Sequence, residues 1–136
     1  MIFNNFEEIE IGGTHYKLKY NLKAAATLEK ELGKTFVMDL LVDLEKGNTP
    51  SVLDMFTFFR FGFEEGNPKT DGWKEDDVAE LFEAAVCEYS LIQLVAFCIK
   101  AYRTAGFLEF KPKKKLLPLE SLEKEANKVP DVPSGA

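Results

Sequence analysis

Apolar and polar positions alternate along the first twenty residues and then shift to spacings of three and four. Phe6 to Ile11 and Thr14 to Tyr20 read as two strands around Gly12-Gly13, a two-residue turn that tolerates the positive φ such hairpins need. With Ile11 opposite Thr14, Ile9 faces Tyr16 and Glu7 faces Leu18 on one side. On the other side Glu8 meets Lys17 and Glu10 meets His15, so opposite charges pair across the strands. Helical spacing begins at Asn21, a plausible N-cap. Leu22, Ala25, Ala26, Leu28 and Leu32 form an apolar side, and Gly33 closes the helix. A second helix runs from about Phe36 to Lys46, with Phe36, Val37, Leu40, Leu41 and Leu44 on its stripe.

The stretch Ser51 to Phe63, SVLDMFTFFRFGF, is the one around which the rest is organised. It holds five of the twelve phenylalanines in eight residues. Pro50, Ser51 as N-cap and Asp54 three positions later mark a helix start. Val52, Met55, Phe56, Phe59 and Phe63 share one side, the predicted core face. Phe58 and Phe61 fall off that face. Either the helix is central and covered on several sides, or it carries a second apolar surface for a partner. A strand over FRFGF, with Arg60 and Gly62 on its far face, is the competing local reading.

After a polar loop from Lys69 to Trp73, the segment KEDDVAELFEAAV predicts a fourth helix with Val78, Leu81, Phe82 and Ala85 buried. Trp73 is expected to staple onto its first turns, against Val78 or a residue near it. The fifth helix spans about Tyr89 to Thr104, with Leu91, Leu94, Val95, Cys98, Ala101 and Tyr102 as its stripe. Ile92, Phe97 and Ile99 widen that stripe, which predicts the most buried helix of the chain. Residues 87–89 either continue the fourth helix into the fifth or kink between them. From Phe110 the pattern breaks down: Pro112, a lysine run at 113–115, then Leu116, Leu117 and Leu119 around Pro118. The expectation is mainly α (α+β): a single domain over residues 1–109, with the N-terminal hairpin packed on four to five helices. Residues 110–136 are expected to form a disordered, flexible tail.

Net charge is −6, unevenly spread: the segment from Lys111 onward carries +2 and the rest −8. An acidic body argues against nucleic acid as a partner. No apolar run is long or clean enough for a membrane span. The start MIFNNFEEIE has neither the basic opening nor the apolar stretch of a signal peptide, so a cytoplasmic location is expected. On one helix Cys87 and Cys98 would stand about 16 Å apart at 1.5 Å per residue. That is beyond the roughly 7 Å a disulfide allows. They read as reduced, packing cysteines, without metal-ligand spacing.

Candidate chemistry is sparse. There is no glycine-rich phosphate loop, no dinucleotide fingerprint and no nucleophile elbow. His15, the single histidine, sits beside the hairpin turn with no second reactive group in view. Glu75, Asp76 and Asp77 lack the ligand order of a calcium loop and suit the dipole of a helix start. The reading is non-enzymatic, with no cofactor and no metal.

The order of features resembles the tail assembly chaperones of long-tailed bacteriophages. The resemblance rests on HYKLKYNLKAAATLEKELGKTF, LLVDLEKGNTPSVLDMFTFFRFGF and WKEDDVAELFEA, and covers about residues 8–105. Within it, Leu28 to Gly33 matches a helix ending in Leu-Glu-x-x-x-Gly, and an acidic helix start comes later. The heavy phenylalanine run of the third helix departs from the pattern. The resemblance implies a protein that coats and solubilises the tape measure protein and helps the tail tube assemble around it. It also implies a place in the bacterial host cytoplasm and absence from the finished virion. Implied partners are the tape measure protein, the tail tube protein and a second copy of the chain. A client or self-association surface is expected at Phe58 and Phe61 with Leu116, Leu117 and Leu119. A regulatory or adaptor protein-binding domain is the alternative, and an acidic metal enzyme stands third.

Overall fold

The computed structural model describes residues 5–108. An antiparallel hairpin, β1 (Phe6–Ile11) and β2 (Thr14–Lys19), leads into five helices. Its register is the one the charge pairs predict: Ile11 opposite Thr14, Ile9 opposite Tyr16, Glu8 opposite Lys17 and Glu10 opposite His15. Gly12 and Gly13 adopt φ of 59° and 83°, the doubly positive turn that matches the twist of the strands. Ile9, Ile11, Leu18 and Tyr20 are buried and face the helices.

Helix α1 (Leu22–Leu32) starts where the Asn21 side chain accepts from the Ala24 N–H. Its buried residues are Ala24, Ala25 and Leu28, whereas Leu22, expected on the apolar side, is 76% exposed. Helix α2 covers Phe36–Glu45. Helix α3 (Val52–Gly66) is capped by Ser51 Oγ, which accepts from the Asp54 N–H at 3.2 Å. FRFGF is therefore helical, and the strand alternative does not hold.

Helices α4 (Glu75–Tyr89) and α5 (Leu91–Thr104) are separate, bent by 111° at Ser90. Ser90 makes that corner at φ 92°, ψ 157°, a region almost reserved for glycine, and its Oγ accepts from the Gln93 N–H to start α5. The corner grips the hairpin turn. Glu88 accepts from the Gly12 N–H, and the Tyr89 hydroxyl donates to the Glu10 carbonyl. No single described helix is long and apolar enough to cross a membrane.

The core is one cluster built around α3. Met55, Phe58, Phe59, Gly62 and Phe63 are buried along it. Phe58 packs edge-on with Phe36 and Tyr102 and at a tilt on Tyr20, while Phe59 meets Phe63 and Phe82. Helix α3 lies against β2, α1, α4 and α5, which explains aromatic residues on more than one of its sides. Two glycines let it come close. A Cβ on Gly62 would come 2.4 Å from Tyr20 Cζ, and one on Gly66 would come 2.2 Å from the Lys17 carbonyl oxygen.

Just beyond α3, Asn67 completes the attachment. Its Nδ2 donates to the Lys17 carbonyl at 2.8 Å and its Oδ1 accepts from the Lys17 N–H at 3.2 Å. One amide thus pairs with both polar groups of a β2 residue, as a neighbouring strand would. Trp73 packs its ring on Phe63 at the edge of the core cluster, and its indole N–H donates to the Asn67 carbonyl.

Candidate protein-binding surface

Phe58 does not belong to an outer surface. It is fully buried, and the expectation that it meets a partner is corrected by its position between Tyr20, Phe36 and Tyr102. A wheel drawn for one buried side cannot represent a helix enclosed by neighbours on several sides. Phe61 is half-buried against the core, with the Arg60 guanidinium 5.9 Å from its ring centre. Leu116, Leu117 and Leu119 lie outside the described residues. Conversely Val52, expected on the core face, is 60% exposed.

The apolar surface that is exposed lies elsewhere. Helix α2 holds seven apolar residues in ten, yet only Val37 and Leu40 are buried. Met38 and Val42, one turn apart, are exposed on its outer side. Val52 and Leu53 are exposed at the start of α3, after the connection 46–51. These four make up most of the seven large apolar side chains exposed among the described residues. Apolar side chains left exposed one turn apart on the outer side of a helix, as on α2, are the kind of surface proteins use to bind each other.

Met38 also borders a cleft between α1, α2 and the end of α5. Leu28, Phe36, Val37, Tyr102 and Phe107 line it, with Glu29 and Lys34 at its polar side. Its volume is about 150 Å³. Small-molecule sites occupy roughly 300–1,000 Å³, so the cleft suits a single apolar side chain rather than a cofactor. Burial, and then the nearby Glu29 carboxylate, push the Tyr102 phenol above its usual range.

The remaining predicted chemistry stays dispersed. His15 is exposed opposite Glu10. Glu75, Asp76 and Asp77 occupy the first turn of α4, where Glu75 pairs loosely with Arg60 at 3.9 Å. Among the described residues no group of three His, Cys, Asp or Glu side chains could hold a metal ion. Cys98 is buried and its thiol is pushed up to about 12 by desolvation, a partner for packing rather than for reaction. Cys87 is exposed.

Sequence reasoning passed over Met38 and Val42. Their i, i+4 spacing was present, but α2 already had a complete apolar stripe, and the excess beyond one stripe was the usable signal. No family model matches the chain, and neither a curated protein nor a solved structure does.

Proposed function

We propose that this chain is a non-catalytic binding protein that shields an apolar, helical client during assembly. The specific reading is a tail assembly chaperone of a long-tailed bacteriophage, with the tape measure protein as client. The observation that carries the binding role is α2, which leaves Met38 and Val42 exposed beside an apolar cleft. An amphipathic client helix could lay its apolar face on that side and place one side chain in the cleft. The phage assignment rests on the pattern resemblance over residues 8–105 and on nothing chemical. An adaptor that binds one partner one-to-one is the second reading, favoured by the small size of the cleft.

The test is co-expression with a tape measure protein encoded beside this chain, followed by sizing of the soluble fraction. The proposal expects client solubility to depend on this chain and each client to carry many copies. Met38→Glu with Val42→Glu should abolish that effect while circular dichroism stays unchanged. Client left insoluble beside a well-folded chain would sink the chaperone reading. A single copy per client would favour the adaptor.

A further inference from the structure

Helix α5 ends in a motif that delivers the chain into the cleft beside α2. Gly106, at φ 99°, donates its N–H to the Arg103 carbonyl, and the Phe107 N–H donates to the Tyr102 carbonyl. This pair of bonds is a Schellman closure. The apolar contact that accompanies such closures is present, with the Phe107 and Tyr102 rings 5.4 Å apart. Leu108, the last described residue, is buried and lines the cleft together with Phe107, Leu28, Phe36 and Met38. The sequence after it therefore continues from the cleft itself.

Beside the cleft, α2 presents two parallel rows. Met38 and Val42 are exposed and apolar. Asp39 and Asp43, one position further round, are exposed and acidic, and Glu45 follows. Asp39 accepts from the Thr35 hydroxyl at 2.9 Å, and none of the three acids forms an ion pair among the described residues. Lys34 and Lys46 stand only at the two ends of the helix. The sequence beyond Leu108 carries the matching chemistry. Phe110 comes first, then lysines at 111, 113, 114 and 115 with no acid among them, then Leu116 and Leu117.

We propose that the segment Phe110–Leu117 docks along the outer side of α2 in the same molecule. Phe110 enters the cleft, the lysines meet Asp39 and Asp43, and Leu116 and Leu117 cover Val42. Reach permits it. Phe110 is two residues past Leu108, within about 7 Å at 3.3–3.6 Å per residue. Lys113 is five past it and spans up to about 17 Å, whereas Phe36 and Asp43 are about 10 Å apart along the axis. Pro112 favours an extended path over a helical one. The tether also decides between occupants: a linker of a few residues gives an effective concentration in the millimolar range, ahead of a separate chain of the same chemistry. The role of this contact rests on the binding reading above. The segment covers the face that a client would use, so a client binds α2 by displacing it.

The experiment uses the full chain labelled with methyl-13C methionine. Only three methionines occur, and Met38 reports on α2 while the buried Met55 reports on the integrity of the core. A nitroxide on Ser121→Cys in a Cys87→Ser background should broaden the Met38 signal. Lys113→Glu, Lys114→Glu and Lys115→Glu together should relieve that broadening, lowering the docked-to-free ratio by roughly fivefold or more. Asp39→Lys with Asp43→Lys should do the same, and combining both sets of reversals should restore it. An unbroadened Met38, or broadening that the reversals leave unchanged, would overturn the proposal. Broadening that also appears when tagged, unlabelled copies are mixed with labelled, untagged ones would overturn it too, by assigning the segment to a second copy. No client is present, so failure here removes the docked segment and leaves the co-expression test of the client reading standing on its own.

Discussion

Gly62 offers the sharpest test of how α3 is seated, because two effects of opposite sign compete there. On an open helix, Gly→Ala gains about 0.8–1 kcal/mol from backbone entropy. Here the new Cβ would come 2.4 Å from Tyr20 Cζ, 2.6 Å from its hydroxyl oxygen and 2.7 Å from Cε2. Carbon atoms rest at about 3.5–4.0 Å, so ring or helix must retreat by roughly 1 Å. The ring has little freedom to do so. It is fully buried, it lies 5.2 Å from the Phe58 ring and 5.4 Å from the Tyr102 ring, and its hydroxyl donates to the Phe58 carbonyl. Overpacking of this kind costs about 1–3 kcal/mol, and a lost hydrogen bond adds about 1. Gly62→Ala should therefore destabilise by about 1–3 kcal/mol net, with a melting temperature lower by about 4–8 °C for each kcal/mol. Urea unfolding followed by circular dichroism would measure it, with an unchanged denaturant slope as the check on two-state behaviour. In a Tyr20→Leu background the ring is gone, and the same alanine should cost little or even stabilise. A Gly62→Ala protein as stable as the parent, or an equal cost in both backgrounds, would refute the close approach as the reason for this glycine.

Asn67→Ala should cost about 1–2 kcal/mol, since it leaves both polar groups of Lys17 without their side-chain partner; amide hydrogen exchange at Lys17 should accelerate in step. At Ser90, glycine should be more stable than alanine by about 1 kcal/mol in the same urea assay, reversing the usual order, because φ 92° and ψ 157° strain any side chain. Stability should also fall in alkali. Burial raises the Cys98 thiol from its ordinary 9.0 to about 12, and burial followed by Cys98 raises the Tyr20 phenol well above 10.0. Both groups have raised folded values, so the stability they contribute is intact below about pH 9 and is lost as pH climbs through the folded values. For Cys98 the loss approaches about 4 kcal/mol at 1.36 kcal/mol per unit. Urea midpoints from neutral to about pH 11 that stay level would contradict this, and Cys98→Ala should delay the onset toward the tyrosine range.

Much of the fold was legible from local pattern. The hairpin register followed from matching apolar and charged pairs across Gly12-Gly13, and the five helices followed from spacing and caps, because Asn21 and Ser51 act within a single turn. Those are short-range interactions, and their partners are neighbours in the chain. Which aromatic faces inward is a different kind of question. Phe58 and Phe61 both fell off the core face of the wheel, yet one is enclosed by Tyr20, Phe36 and Tyr102 and the other only half-covered, since burial depends on elements far along the chain. The same holds for the break at Ser90, where no glycine or proline marks a 111° corner and the hairpin turn held by Glu88 and Tyr89 accompanies it. Only the packed structure separated the apolar excess on α2 and α5 from the core, because a side chain is surplus only once the space inside has been filled by others.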